Sequence, residues 1–146
     1  MRYLHTMIRI SDVDASLHFY CDLLGLELVK TIENKKGRFT NYFLCTQCDK
    51  ERYEAMRSPA IELTYNWDPQ GYDGGRNFGH LAYQVDDIYH TCQQLIDRGV
   101  TLNRPPRDGR MAFIKSPDGI SIELLQAGPA LTEAEPWSSM PNQGSW

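Results

Sequence analysis

The chain has no apolar run of about 18 or more residues, the length a membrane-crossing helix needs. Its start, Met1-Arg2-Tyr3, leads into a strand-like segment rather than an apolar signal region. The expectation is a soluble, cytoplasmic protein that does not engage a membrane. A long basic run is also missing, and 15 basic against 19 acidic residues leave a net charge of −4. That balance argues against nucleic acid as a partner, while leaving room for local basic clusters that hold a small anion. Cysteine is scarce. Of the four, Cys21, Cys45, Cys48 and Cys92, two sit on expected helices, which argues against a disulfide framework. Cys45-Thr46-Gln47-Cys48 has CxxC spacing, but no second Cys/His pair completes a zinc site and no strand-to-helix redox turn surrounds it. The glycines at 71, 74 and 75 neither follow a strand nor open a helix, so a phosphate-binding loop is excluded.

What the chain does have is a duplication. Ile-Glu-Leu occurs at Ile61-Glu62-Leu63 and again at Ile122-Glu123-Leu124. Each copy closes a segment that opens with a histidine on a strand-like run, His5-Thr6-Met7-Ile8-Arg9-Ile10 and His80-Leu81-Ala82-Tyr83-Gln84-Val85, at a constant offset of 75 residues. At the same offset Val13, Leu17 and Tyr20 fall on Ile88, Cys92 and Leu95. These are i, i+4, i+7 stripes of the kind an amphipathic helix requires. A helix starting near Ser11 or Asp12 should stop before Gly25, and its counterpart, 88–98, before Gly99. Strands are expected at 26–30, 39–44 and 60–65, then at 100–102, 111–115 and 121–126, with 33–37 as a turn and the polar stretch 46–58 as a loop. The fold class is therefore α+β, with two βαβββ modules related by pseudo-two-fold symmetry. Module one covers 1–67, a Gly/Pro/Asp-rich linker 68–77, module two 78–127, and 128–146 form an extended tail. A length of 146 residues suits one compact domain built of two such modules. Trp137 and Trp146 are expected to dock the tail onto the body or a partner subunit, since a disordered tail usually lacks aromatics.

Strand alternation puts His5, Met7 and Arg9 on one face and Ile8 and Ile10 on the other; Glu62, Thr64 and Asn66 likewise oppose Ile61, Leu63 and Tyr65. Taken singly, each His or Glu reads as a solvated sheet residue. Two half-buried glutamates in one concavity repel each other and are costly to desolvate unless a cation compensates them. If the modules pair about their pseudo-axis, His5, Glu62, His80 and Glu123 become one metal site of two imidazoles and two carboxylates. Such a set leaves open coordination positions on the ion. His18 and His90 lie on helices away from these faces, and Met7 and Met111 are read as packing residues.

Four segments carry a resemblance: Leu4-His5-Thr6-Met7-Ile8-Arg9, Ile61-Glu62-Leu63-Thr64-Tyr65-Asn66-Trp67, Arg76-Asn77-Phe78-Gly79-His80, and Ser116-Pro117-Asp118-Gly119-Ile120-Ser121-Ile122-Glu123-Leu124. Over residues 1–127 the chain resembles glyoxalase I, lactoylglutathione lyase, of the bacterial type within the vicinal oxygen chelate superfamily. The resemblance implies a carbon-sulfur lyase that isomerises the hemithioacetal of methylglyoxal and glutathione to S-lactoylglutathione. It also implies a homodimer with interface active sites, each taking His5 and Glu62 from one chain and His80 and Glu123 from the other. One divalent metal per site is implied, nickel or cobalt favoured, with zinc an alternative. Arg9, Asn66 and Arg76 align with residues that hold the γ-glutamyl end of the thiol, a task suited to guanidinium and amide groups. Arg104, in a loop shorter than that of eukaryotic relatives, stands where they use a lysine for the glycyl carboxylate. The last glutamate, Glu123, is the family's base; the residues themselves do not separate it from Glu62. Extradiol dioxygenases and fosfomycin-type thiol transferases share the module but use two histidines and one carboxylate, against which Glu62 speaks. A drug-sequestering protein of the same fold is the non-enzymatic alternative.

Overall fold

The computed structural model describes residues 1–68 and 70–146; Pro69, in the expected linker, lies outside the described residues. The chain divides into two units, Met1–Asp73 and Gly74–Trp146. In the first, β1 (His5–Ile10) is followed by α1 (Val13–Leu17), β2 (Glu27–Asn34), β3 (Phe39–Cys45), α2 (Lys50–Met56) and β4 (Ala60–Asn66). The strand order is β1-β4-β3-β2, with β1 parallel to β4 and the other pairs antiparallel. The second unit contains β5 (His80–Val85), α3 (Ile88–Asp97), β6 (Met111–Lys115) and β7 (Ser121–Gln126) in the order β5-β7-β6. There β5 and β7 are parallel, while β6 and β7 are antiparallel. Two small mixed sheets with few helices make the expected α+β class.

The duplication is built into the local chemistry. Asp12 Oδ1 accepts the Ala15 N–H at 2.9 Å, and Asp87 Oδ1 accepts that of His90 at 2.9 Å, so both helices open with the same aspartate cap. Both end at a glycine with positive φ, Gly25 at 75° and Gly99 at 84°, a backbone state that a side chain would strain. One sheet face is apolar: Ile8, Ile10, Leu44, Ile61 and Leu63 in the first unit and Ala112, Ile114, Ile122 and Leu124 in the second are all buried. Truncating one such residue, Leu63 for example, should cost about 2–5 kcal/mol.

Three elements differ from expectation. After Leu17 the first helix widens into a π-helical segment, His18–Leu23, whose Phe19 and Tyr20 are buried. The polar stretch 46–58 is not a loop: a short 3-10 turn, Gln47–Asp49, leads into α2. The only buried residue of α2 is Tyr53, which packs with Cys45 and Ala60, so the helix has one anchor and no stripe to betray it. The strand expected near 100–102 shrinks to a single bridge, Arg104 to Phe113. Arg104 N and O both bond to Phe113 there, and the next two residues, Pro105 and Pro106, have no N–H to extend a ladder. The second sheet therefore has three strands.

The tail packs onto its own unit. Trp137 is 5% exposed and stacks on Tyr89 with ring centroids 5.8 Å apart. Leu131 N donates to Gly109 O at 3.0 Å, and a Cβ on Gly109 would come within 2.1 Å of Leu131 O, so that approach needs glycine. Asn103 and Gln143 exchange two hydrogen bonds, bringing Trp146 against Phe113 at 6.2 Å between centroids.

Candidate active site

Register places the candidate ligands. In the β1–β4 ladder Met7 lies opposite Glu62 and His5 opposite Ala60, so His5 and Glu62 share a face one diagonal step apart. His5 Nε2 lies 2.8 Å from Glu62 Oε2. The second unit repeats this step. Ala82 lies opposite Glu123 and His80 opposite Ser121, and His80 Nε2 is 3.1 Å from Glu123 Oε2. The two carboxylate side chains are only 12% and 13% exposed, against 36% and 43% for the imidazoles. Each carboxylate thus sits in the sheet surface with the imidazole at its open edge.

Each pair has a third member that sequence reasoning missed. On the antiparallel side, Phe43 is paired with Glu62 and Phe113 with Glu123. Their rings meet the imidazoles of His5 and His80 edge to face, at 5.8 Å and 5.4 Å between centroids. These are favourable aromatic arrangements that also wall the imidazoles on one side. The available signal was positional, a phenylalanine in the strand just before each glutamate strand, but only the register shows that it faces the glutamate.

Glu62 has a further partner. Asn41 Nδ2 donates to its Oε1, and the Thr64 hydroxyl donates to Asn41 Oδ1 at 3.2 Å. No group of three or more His, Cys, Asp or Glu side chains gathers as a metal site among the described residues, and each unit holds one His–Glu pair. Those donors fit a divalent first-row ion: an imidazole nitrogen and a largely buried carboxylate oxygen already stand within hydrogen-bonding distance, and the carboxylate needs positive compensation.

The expected thiol contacts fall out unequally. Arg9 is exposed, on the ligand face of β1 and opposite Thr64. Asn66, at the end of β4, donates from Nδ2 to the Tyr72 hydroxyl at 2.7 Å. Arg76 is exposed in a turn before β5. Arg104 is engaged within its own loop. Its guanidinium donates to Met111 O at 2.6 Å and to Asp108 Oδ2 at 2.8 Å, and its side chain is 18% exposed. It braces its own loop. Burial works against the Asp108 carboxylate, but Arg104 and the N–H groups of Arg110 and Met111 hold its pKa below the ordinary range. Arg107 donates to Met140 O and Asn142 Oδ1, and Arg110 to Gly128 O, so these arginines also tie down chain.

The remaining candidates stay outside the chemistry. All four cysteines are free, with Cys45 buried at the end of β3 and Cys48 exposed in the 3-10 turn. His18 Nδ1 pairs with Asp22 at 2.8 Å on the solvent side. No helix among the described residues is long and apolar enough to cross a membrane.

The chain is similar to known proteins over most of its length. Residues 2–124 match the model of the Glyoxalase/Bleomycin resistance protein/Dioxygenase superfamily. A probable lactoylglutathione lyase of Synechocystis sp. is 44% identical over 131 residues, covering 86% of this chain and 95% of that protein. The lactoylglutathione lyase of Haemophilus influenzae is 42% identical over 132 residues, covering 86% and 93%. Among solved structures, the trypanothione-dependent glyoxalase I of Leishmania major superposes with a TM-score of 0.77 at 33% identity, covering 86% of each chain. With a family model spanning most of its length and relatives of this identity, the chain belongs to the Glyoxalase/Bleomycin resistance protein/Dioxygenase superfamily.

Proposed function

We propose that this chain is a lactoylglutathione lyase, isomerising the hemithioacetal of methylglyoxal and glutathione to S-lactoylglutathione and so removing a reactive aldehyde. The observation that carries the reading is the repeated His–Glu diagonal, 2.8 Å in one unit and 3.1 Å in the other, in a chain whose relatives include lactoylglutathione lyases. Each half is coordinatively incomplete. The full site is His5 and Glu62 of one copy with His80 and Glu123 of a second, which makes the working enzyme a homodimer. Nickel or cobalt is the favoured ion, with zinc an alternative. A cytoplasmic setting, where thiols stay reduced, fits the free cysteines.

When bound, a divalent cation supplies Lewis-acid stabilisation of the charge that develops on the vicinal oxygens of the substrate. The side chains do the rest. Arg9, Asn66 and Arg76 hold the γ-glutamyl end and so orient the reacting carbons. Glu123 takes the proton from C1 and returns it to C2, turning the ketone and hemithioacetal carbon into an alcohol and thioester with no oxidant required. Phe43 and Phe113 restrict the two imidazoles and exclude water from one side of each.

The test is formation of S-lactoylglutathione by metal-free protein and by protein reconstituted separately with nickel, cobalt and zinc. Turnover with at least one ion and none without metal is expected. Failure with all three would overturn the reading.

A further inference from the structure

The two half-sites match at three positions, histidine, glutamate and phenylalanine, and part company at the next rung. In the first unit that rung is Asn41 opposite Thr64; in the second it is Met111 opposite Leu125. Both positions lie two residues from the matched pair, Phe43 with Glu62 and Phe113 with Glu123, so they face the same side of the sheet.

We infer that Asn41 is a positioning residue that seats Glu62 as a fixed carboxylate, in contrast to Glu123, which the proposed reading already makes the proton carrier. The inference rests on the proposed lyase reading. In the first unit both oxygens of Glu62 are engaged, Oε2 beside His5 Nε2 at 2.8 Å and Oε1 by the Asn41 amide. The amide is itself oriented. Thr64, 6% exposed, donates to Asn41 Oδ1, which obliges the NH2 end to face Glu62. An amide, a hydroxyl and a carboxylate linked in a row leave Glu62 little rotation. Its Oε1 lone pairs are also already directed at a donor, which makes it a poor place to land a substrate proton.

Among the described residues Glu123 has no such brace. Its Oε2 faces His80 Nε2 at 3.1 Å, and the next rung offers it a thioether and an isobutyl group, neither of which donates a hydrogen bond. Two carboxylates in otherwise equivalent frames therefore differ in what their second oxygen can do. One is held as a ligand, and the other is able to leave its seat and turn toward a substrate carbon.

Two variants test this on the full-length protein, with nickel(II) as probe. Asn41→Leu removes the amide at similar volume, and nickel affinity by chelator competition should fall about ten-fold, the scale on which outer partners of metal ligands act. Thr64→Val, which removes only the orienting hydroxyl, should shift it in the same direction by less. The reciprocal graft, Met111→Asn with Leu125→Thr, should keep its nickel and lose about 10²-fold in turnover, because it pins the carboxylate that has to move. Melting of the metal-free forms checks folding of each variant. Unchanged affinity in both Asn41→Leu and Thr64→Val, or a nickel-loaded graft with wild-type turnover, overturns the inference while leaving the lyase reading intact. Wild-type protein that neither holds nickel nor forms S-lactoylglutathione overturns both.

Discussion

Phe113 stands edge-on to His80, ring centroids 5.4 Å apart at 84°, and directly opposite Glu123 in the β6–β7 ladder. It is the hub of the second half-site, because Trp146 from the chain's last residue also leans on it. An imidazole walled by one ring keeps its Nε2 aimed at the carboxylate without spending a hydrogen bond on the task.

That placement makes the metal the first thing to test. Replacing His80 by Ala removes one nitrogen donor and should weaken metal binding by more than the roughly ten-fold seen when only supporting groups are lost. A milder change, Phe113→Leu, keeps the donor and loosens its aim, so its effect should be the smaller of the two. Elemental analysis after dialysis, with chelator competition for affinity, reads both. Unchanged stoichiometry in His80→Ala and in Glu62→Ala alike would exclude the four-ligand site.

The half-sites were legible in the sequence because they obey two short-range rules at once. Alternation put His5 and Glu62 on polar faces of otherwise apolar strands, and duplication repeated the pattern at His80 and Glu123. What was not legible depends on pairing across the sheet. Phe43, Asn41 and Phe113 belong to the site through antiparallel register, which no local pattern specifies. The helix Lys50–Met56 was hidden for the opposite reason, since a polar segment with Tyr53 as its only buried side chain has no periodicity to read. The bonds of Arg104 within its own loop were not legible either, because a guanidinium beside Pro105-Pro106 and Asp108-Gly109 looks the same in sequence whether or not it also holds the loop's carbonyl and carboxylate groups.

Arg9 is the clearest test of thiol recognition. It is exposed on the same face as His5 and is not part of either His–Glu pair. Losing one charge-assisted hydrogen bond to a carboxylate costs about 1.5–3 kcal/mol. Arg9→Ala should therefore lower kcat/KM by roughly 10- to 150-fold, mainly through KM, with metal content unchanged. Wild-type kinetics would mean that Arg9 is a surface charge only.

Cys92 sets a pH dependence whose sign can be worked out. Burial on the inner side of α3 pushes its thiol from the ordinary 9.0 up to about 12. The folded protein thus disfavours the thiolate, and this contribution to stability is complete below the unfolded value and is lost as pH climbs from about 9 through about 12. Melting temperature should fall over that window, and Cys92→Ala should flatten part of the decline. In native protein near neutral pH, iodoacetamide should modify the exposed Cys48 and spare Cys92, as peptide mass spectrometry can show. Early modification of Cys92 would mean that α3 opens readily.

The last test separates ligand from base. Glutamine keeps the shape of glutamate and one oxygen able to coordinate, but its amide does not accept a proton at neutral pH. Glu123→Gln should therefore keep metal and bind a substrate analogue while turnover falls by about 10²–10⁴-fold, the usual contribution of a general base. Glu62→Gln should behave differently. Its Oε1 already accepts from Asn41 and its Oε2 faces His5, so the change disturbs a seated ligand, and the loss should show first in metal affinity. Measuring metal content, analogue affinity and turnover on both variants decides the assignment. Near-normal turnover in metal-loaded Glu123→Gln, with Glu62→Gln fully loaded yet inactive, would move the base to Glu62 and make the unbraced carboxylate the permanent ligand.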